Sequence, residues 1–294
     1  MDTFVQLIVN ALQSGAIYVI FSLGLTLLFG VMKIVNFAHG EFYTAGAFLT
    51  YLFIDKWGLF SSINIYVAYF LAFVFAILIV GIVGYLVEMT IFSRFHGDMV
   101  SGLIVAIGLS MVMQTIYLLM FTANPKNITS IFKGTSHLFG GSISNERIAI
   151  FILALLFTVG MTLIIKKTKF GKAMRAISQD KEAAELQGID YKSITRWGFV
   201  VGIVLAASAG VLVSPASVVD PYIGEAYLMK AFIIIILGGM GSIPGCILAG
   251  FLLGIIESFG IFYFDIAFAT ALSFISVMLM LLIRPQGLMG HVSR

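Results

Sequence analysis

The stretch Gly24–Tyr51, GLTLLFGVMKIVNFAHGEFYTAGAFLTY, decides how the chain is organised. Apolar sequence runs into it and out of it. Between lies a short insert that carries Lys33, Asn36, Phe37, His39, Gly40 and Glu41. A charged side chain at the centre of a bilayer costs roughly 2.5–3.5 kcal/mol even on the gentler insertion scales. The insert therefore belongs at a membrane face, or inside, buried against protein or water. Non-helical backbone at depth is tolerated only in those two settings. A helix interrupted in this way is a sequence pointer to a transport path. The reading predicts that Asn36 to Glu41 is non-helical or strained, and that a short helix, Glu41 to Ile54, starts inside the membrane or leans on the preceding turn.

Composition agrees with a membrane chain. Of 294 residues 60% are hydrophobic and 11% charged, against about 25% charged in a soluble domain. Mean hydropathy is +1.08. The expected class is all-α, a polytopic helical membrane protein of eight or nine segments, forming one domain over residues 1–294. One cysteine, Cys246, excludes an internal disulfide and a cysteine metal cluster. Its small, apolar neighbourhood marks it as a packing residue.

Working outward, apolar runs are expected at 4–32, 63–92, 99–123, 148–165, 197–219, 246–263 and 267–283. A polar loop fills 124–147. A second interruption, GGMGSIPG, contributes Gly238, Gly239, Gly241 and Pro244, and divides a short helix, Tyr227 to Leu237, from the next span. Its glycines suit a tight helix crossing and a gate equally. Glu88 and Glu257, near helix ends, are read as snorkelling to the interface or hydrogen bonding between helices.

Orientation is read from lysine and arginine. The loop 166–196 carries 8 of the 17 such residues. With that loop cytoplasmic, Lys33, Arg94, Arg284 and Arg294 fall on the same side, and Lys56, Lys126, Lys133 and Arg147 opposite. The N-terminus is then outside and the C-terminus inside. Within the loop, Asp180 is a helix N-cap, Glu182 favours the positive helix end, and Gly188 stops the helix. The result is a two-turn helix, KEAAELQ, with Ala183, Ala184 and Leu186 as its apolar positions. So short a helix needs a partner surface.

Three blocks now carry a resemblance. EAA-x3-G at Glu182, Ala183, Ala184 and Gly188 resembles the cytoplasmic EAA loop of binding-protein-dependent ABC importers. FGVMKIVNFAHGEFYTAGAF (Phe29–Phe48), GKAMRAISQDKEAAELQGID (Gly171–Asp190) and LGGMGSIPGCILAGFLLGIIE (Leu237–Glu257) resemble, in order and spacing, the branched-chain amino acid ABC importer permeases of the LivH type. The resemblance implies an ABC importer permease fold in the bacterial cytoplasmic membrane, carrying branched-chain or related hydrophobic amino acids or amides. It implies a second, homologous permease subunit, two cytoplasmic ATPase subunits and an external substrate-binding protein as partners, with the EAA-type helix docked into an ATPase groove. Nothing in the sequence calls for nucleic acid.

The residues agree on where ATP is handled. No GxxxxGK[ST] occurs, and Gly171-Lys172 is followed by Ala173. No cofactor is expected on this chain; ATP and Mg belong to the partner ATPases. His39 and Glu41 lack a third ligand and the HExxH spacing, so no metal is expected. His39 and Asn36 suit hydrogen bonding to backbone freed at the interruption as well as solute contact. Two other classes stay open. An ion-coupled secondary transporter would rely on Glu41 as its buried acid; an intramembrane enzyme would need His39 beside a Ser or Thr.

Overall fold

A computed structural model of the chain describes residues 2–32, 36–59, 62–95, 98–138 and 141–290. Eleven α-helices appear among them: α1 (Asp2–Met32), α2 (His39–Tyr51), α3 (Ile65–Thr90), α4 (Met99–Phe121), α5 (Asn145–Lys167), α6 (Lys169–Gln179), α7 (Lys181–Leu186), α8 (Tyr191–Val213), α9 (Ile223–Gly238), α10 (Ile243–Tyr263) and α11 (Ile266–Ile283). Seven of these are long and apolar enough to cross a membrane: α1, α3, α4, α5, α8, α10 and α11. α2, 13 residues continued by a π-helical turn over Leu52–Lys56, and α9, of 16 residues, fall short of the ~20 apolar residues that span the hydrocarbon, α2 carrying Glu41 at its start and Asp55 and Lys56 at its end.

The helix boundaries have local causes. Asn64, Asp98, Thr168, Asp180, Asp190, Ser242 and Asp265 each accept a hydrogen bond from a backbone N–H of the following turn, which satisfies a donor that the helix start leaves free. Hydrogen bonds to Asp98, led by the Ser101 hydroxyl, hold its carboxyl below the usual carboxylate range. The last carbonyls of α5 gain the guanidinium of Arg175, which donates to Ile165 O.

α1 and α8 form the centre and are the most buried of the spans; α3, α4, α5 and α11 turn mostly apolar surface outward. α1 packs along α10, and α8 along α3. Leu23, Leu25, Phe42, Tyr43, Phe199 and Ile203 fill the core between α1, α2 and α8.

One end of the bundle gathers α6, α7 and the start of α8, the end of α3, the turn 239–242 and the segment 284–290. Arg196 of α8 holds Glu88 of α3 there at 2.7 Å, an interhelical bond, which is one of the two roles expected of that carboxylate. At the opposite end Lys126 pairs with Val219, Thr129 with Asp55, and Arg147 with Asn10. The polar loop at that end contains a hairpin, β1 (Thr135–Leu138) against β2 (Gly141–Ser144), with Thr135 opposite Ser144. Strands were not expected there, and the loop's final residues open α5.

Candidate translocation site

Within Asn36–Glu41 the non-helical part is shorter than the sequence reading held. Lys33, which drew attention to it, lies outside the described residues. Among the described residues between α1 and α2 only Asn36, Phe37 and Ala38 are non-helical; His39, Gly40 and Glu41 form the first turn of α2. Asn36 folds onto its own turn, Ala38 N–H donating to Asn36 Oδ1 at 3.0 Å. That bond starts the helix without a conventional cap and so draws His39 into it.

The His39 ring fixes the depth. Its Nε2 lies 3.1 Å from Phe21 O, and Phe21 stands eleven residues before Met32, the end of α1. At 1.5 Å per residue, α2 starts ~16 Å inside the end of α1. Glu41 is 3% exposed. Its Oε1 accepts from Ser110 Oγ of α4 at 3.0 Å, and its main-chain oxygen accepts from Tyr117 Oη at 2.9 Å. Asn36 Nδ2, His39 Nδ1 and Glu41 Oε2 are buried with no partner among the described residues.

The second interruption is of another kind. Gly238 ends α9, and Pro244 and Gly245 lie in the first turn of α10, leaving only 239–242 between the helices. This turn sits at the end of the bundle. Leu288 and Met289 donate their N–H groups to Leu237 O and Gly238 O at 2.8 and 3.0 Å, capping α9. Gly238, Gly239, Gly241 and Pro244 therefore form a braced face turn, apart from Asn36–Glu41.

What meets α2 at depth is the start of α9. The helix begins at Ile223, four residues before the expected Tyr227. Gly40 and Gly224 touch through their backbones: a Cβ on Gly224 would lie 2.0 Å from Gly40 O, and one on Gly40 2.5 Å from Gly224 O. Gly224 N–H donates to Thr44 Oγ1 at 3.1 Å. The rings of Tyr43 and Tyr227 stack at 4.4 Å and 26°. Two helix N-termini, each with partial positive charge, converge here, and each carries a glutamate in its first turn, Glu41 and Glu225.

The sequence held a signal for this meeting that was not read. Gly40-Glu41-x-Tyr43-x3-Ala47-Phe48 recurs 184 positions later as Gly224-Glu225-x-Tyr227-x3-Ala231-Phe232. Each Gly and each Tyr meets its own counterpart, the contact expected across a two-fold axis. The flanking packing agrees: α1 runs along α10 as α8 runs along α3. The matching contacts make α1–α3 and α8–α10 two repeats that run in opposite directions through the bundle.

The coupling segment keeps its expected ends. Asp180 Oδ1 accepts from Ala183 N–H at 3.0 Å. At the other end Ile189 N–H reaches Ala184 O and Gly188 N–H reaches Glu185 O, a Schellman closure with Gly188 at φ +81°. The expected apolar face is not a single face. Ala184 is 5% exposed and packs into the chain's own core, whereas Leu186 is 87% exposed; Glu182 and Ala183 are exposed too.

Seven spanning helices, two half-length helices that meet at depth and inverted repeats define a polytopic permease. The family model for "branched-chain amino acid transport system / permease component" matches residues 7–283, and the chain belongs to that family of ABC transport permeases. It is 33% identical to the high-affinity branched-chain amino acid transport system permease protein BraD of Pseudomonas aeruginosa, over 98% of this chain and 96% of that protein. It is 32% identical to LivH of Escherichia coli over the same shares. Ribose import permease protein RbsC of Haemophilus influenzae is 28% identical over 52% of this chain and 54% of its own length. No solved structure matches the chain.

Proposed function

We propose that this permease carries branched-chain amino acids, or hydrophobic relatives of them, inward across the bacterial cytoplasmic membrane. It pairs with a second, homologous permease and works with two ATPases and an external binding protein. ATP and Mg act on the ATPases. The end of the bundle that holds loop 166–196 faces the cytoplasm, with Arg94 and Arg284 on the same side, so the N-terminus is outside. The observation that carries the reading is the contact of Gly40 with Gly224 at the starts of α2 and α9, in a chain of this family. Half-helices that start near the midplane of inverted repeats are where transporters place their solute path. The shallow helix α7 supports coupling to an ATPase, through Leu186, Ala183 and Glu182 and not through Ala184.

The test is uptake of labelled leucine into proteoliposomes that hold the whole assembly, with the binding protein added outside. ATP-dependent accumulation that stops with a catalytically dead ATPase is expected. Accumulation by this chain alone, driven by a proton or sodium gradient, would overturn the reading.

A further inference from the structure

A second charged cluster lies at depth, where α1, α9 and α10 meet. Lys230 Nζ is 2.5 Å from Glu257 Oε1 and 2.7 Å from Tyr18 Oη, and the Tyr18 hydroxyl donates to Glu257 Oε2. The Lys230 ammonium also sits over the rings of Tyr18 and Tyr227, 4.8 and 5.9 Å from their centroids, positions at which a cation is attracted to an aromatic face. Tyr18 is sixteen residues from Asp2 and fourteen from Met32, about the middle of α1. Lys230, bonded to Tyr18, therefore lies well inside.

The cluster is not sealed. The Lys230 side chain is 32% exposed and that of Glu257 15%. One turn before Lys230, Ala226 is exposed, and further round α9 so are Met229 and Glu225. Hydrocarbon does not accept an exposed glutamate beside a part-exposed ion pair, so this face of α9 borders water or protein and not lipid. Among the described residues the first repeat has no ion pair at the matching position. The counterpart of Lys230 is Gly46, whose Cα lies so near α8 that a Cβ would stand 2.3 Å from Ala207 O. One repeat closes at this position and the other offers charge.

We propose that Lys230 and Glu257, with Tyr18, form a station on the translocation path for the zwitterionic head of an α-amino acid. The station rests on the transport reading above and adds the group that is recognised. An ammonium has three donors, and two are used here among the described residues; the third is available to a carboxylate. The Glu257 oxygens keep lone pairs for an ammonium. A simple anion or cation would be attracted by one partner and repelled by the other. A solute that bears both charges on one carbon replaces both halves of the pair at once, so its head passes without either charge being stripped bare.

The experiment uses the complete assembly in proteoliposomes. The variant Lys230→Met/Glu257→Gln removes both charges, leaves an acceptor for Tyr18, and orphans neither partner; loss of such a pair as a unit is commonly tolerated by the fold. It is expected to co-purify with its ATPases and to lose at least tenfold in leucine uptake. An assembled double variant with uptake within twofold of the unaltered protein would show a merely structural pair. A second arm needs no variant. In the unaltered assembly a water-soluble amine reagent should modify Lys230, read by peptide mass spectrometry, and leucine during turnover should reduce the modification severalfold. Absence of labelling in every nucleotide state would overturn the station. Absence of leucine uptake by the unaltered assembly would instead refute the branched-chain reading, and the labelling would still decide whether Lys230 faces the path.

Discussion

The chain turns back on itself at two glycine-bearing interruptions that look alike in sequence and differ in structure. At 239–242 the turn is at the end of the bundle, braced by two main-chain hydrogen bonds from the segment after α11. At 36–38 the turn is within the protein, and the helix it starts is seated by contacts from α1, α4 and α9. The first uses glycine to reverse the chain in a short space. The second uses it to let two helix starts touch. Glycine-rich sequence alone does not distinguish a bend at the surface from a meeting in the interior; what surrounds the glycine does.

The sharpest test of that difference substitutes one glycine of each kind. Gly224→Val drives a side chain into the Gly40 carbonyl, and the neighbour is main chain that cannot rotate aside. Uptake should fall more than tenfold, with a clear drop in the thermal midpoint of the solubilised protein. Gly241→Ala has room, its nearest neighbour being Gly30 Cα at 3.4 Å, but holds φ at +80°. That strain costs about 1–2 kcal/mol, and uptake should stay within threefold. Equal losses at both sites would remove the distinction.

The coupling helix sharpens the same point about surroundings. Leu186→Ser should reduce co-purification of the ATPase and lower uptake severalfold while the membrane part keeps its thermal midpoint. Ala184→Trp should lower the midpoint itself, since Ala184 is packed inside. The opposite pattern would mean that α7 docks by its other side.

Accessibility supplies a subtler contrast. In a background with Cys246→Ser, cysteine at Met240 should react with a membrane-impermeant thiol reagent from one side of the membrane in every nucleotide state. Cysteine at Ala226, beside the deep contact, should change its reactivity severalfold when vanadate traps the ATPases. State-independent labelling at Ala226 would place the deep contact outside the moving path. The smallest effect is expected from Leu288→Pro, which removes one N–H from the face turn. A hydrogen bond contributes about 0.5–1.5 kcal/mol net, so the thermal midpoint should drop by a few degrees and uptake should barely change.

The spans were legible because hydrocarbon imposes its rule locally: twenty apolar residues with few charges state their own position. The ends of α7 were legible for a similar reason, since Asp180 and Gly188 act within a turn of where they stand. Three things were not. Ala183 and Ala184 are chemically identical, and which one is buried depends on packing against α6 and α8. The extent of helix at His39 turned on a bond from Ala38 to Asn36 and on the distant Phe21 carbonyl. The start of α9 at Ile223 was hidden by Asp220 and Pro221, residue types that favour a turn. The recurrence of Gly-Glu-x-Tyr would have located both deep starts, but only as a pair; neither copy is informative alone.

The contact between Gly40 and Gly224 also has a consequence for how the protein is made. A ribosome adds roughly 5–20 residues per second, so the second glycine emerges some 10–40 s after the first. For that interval α2, too short to cross the bilayer, has been synthesised without the surface it rests on. Its polar start must be sheltered meanwhile by α1, through the His39–Phe21 contact, or by the insertion machinery. Biogenesis of this permease is thus a matter of waiting as well as of insertion, and a pause or a truncation before α9 leaves a half-built pair exposed to membrane quality control.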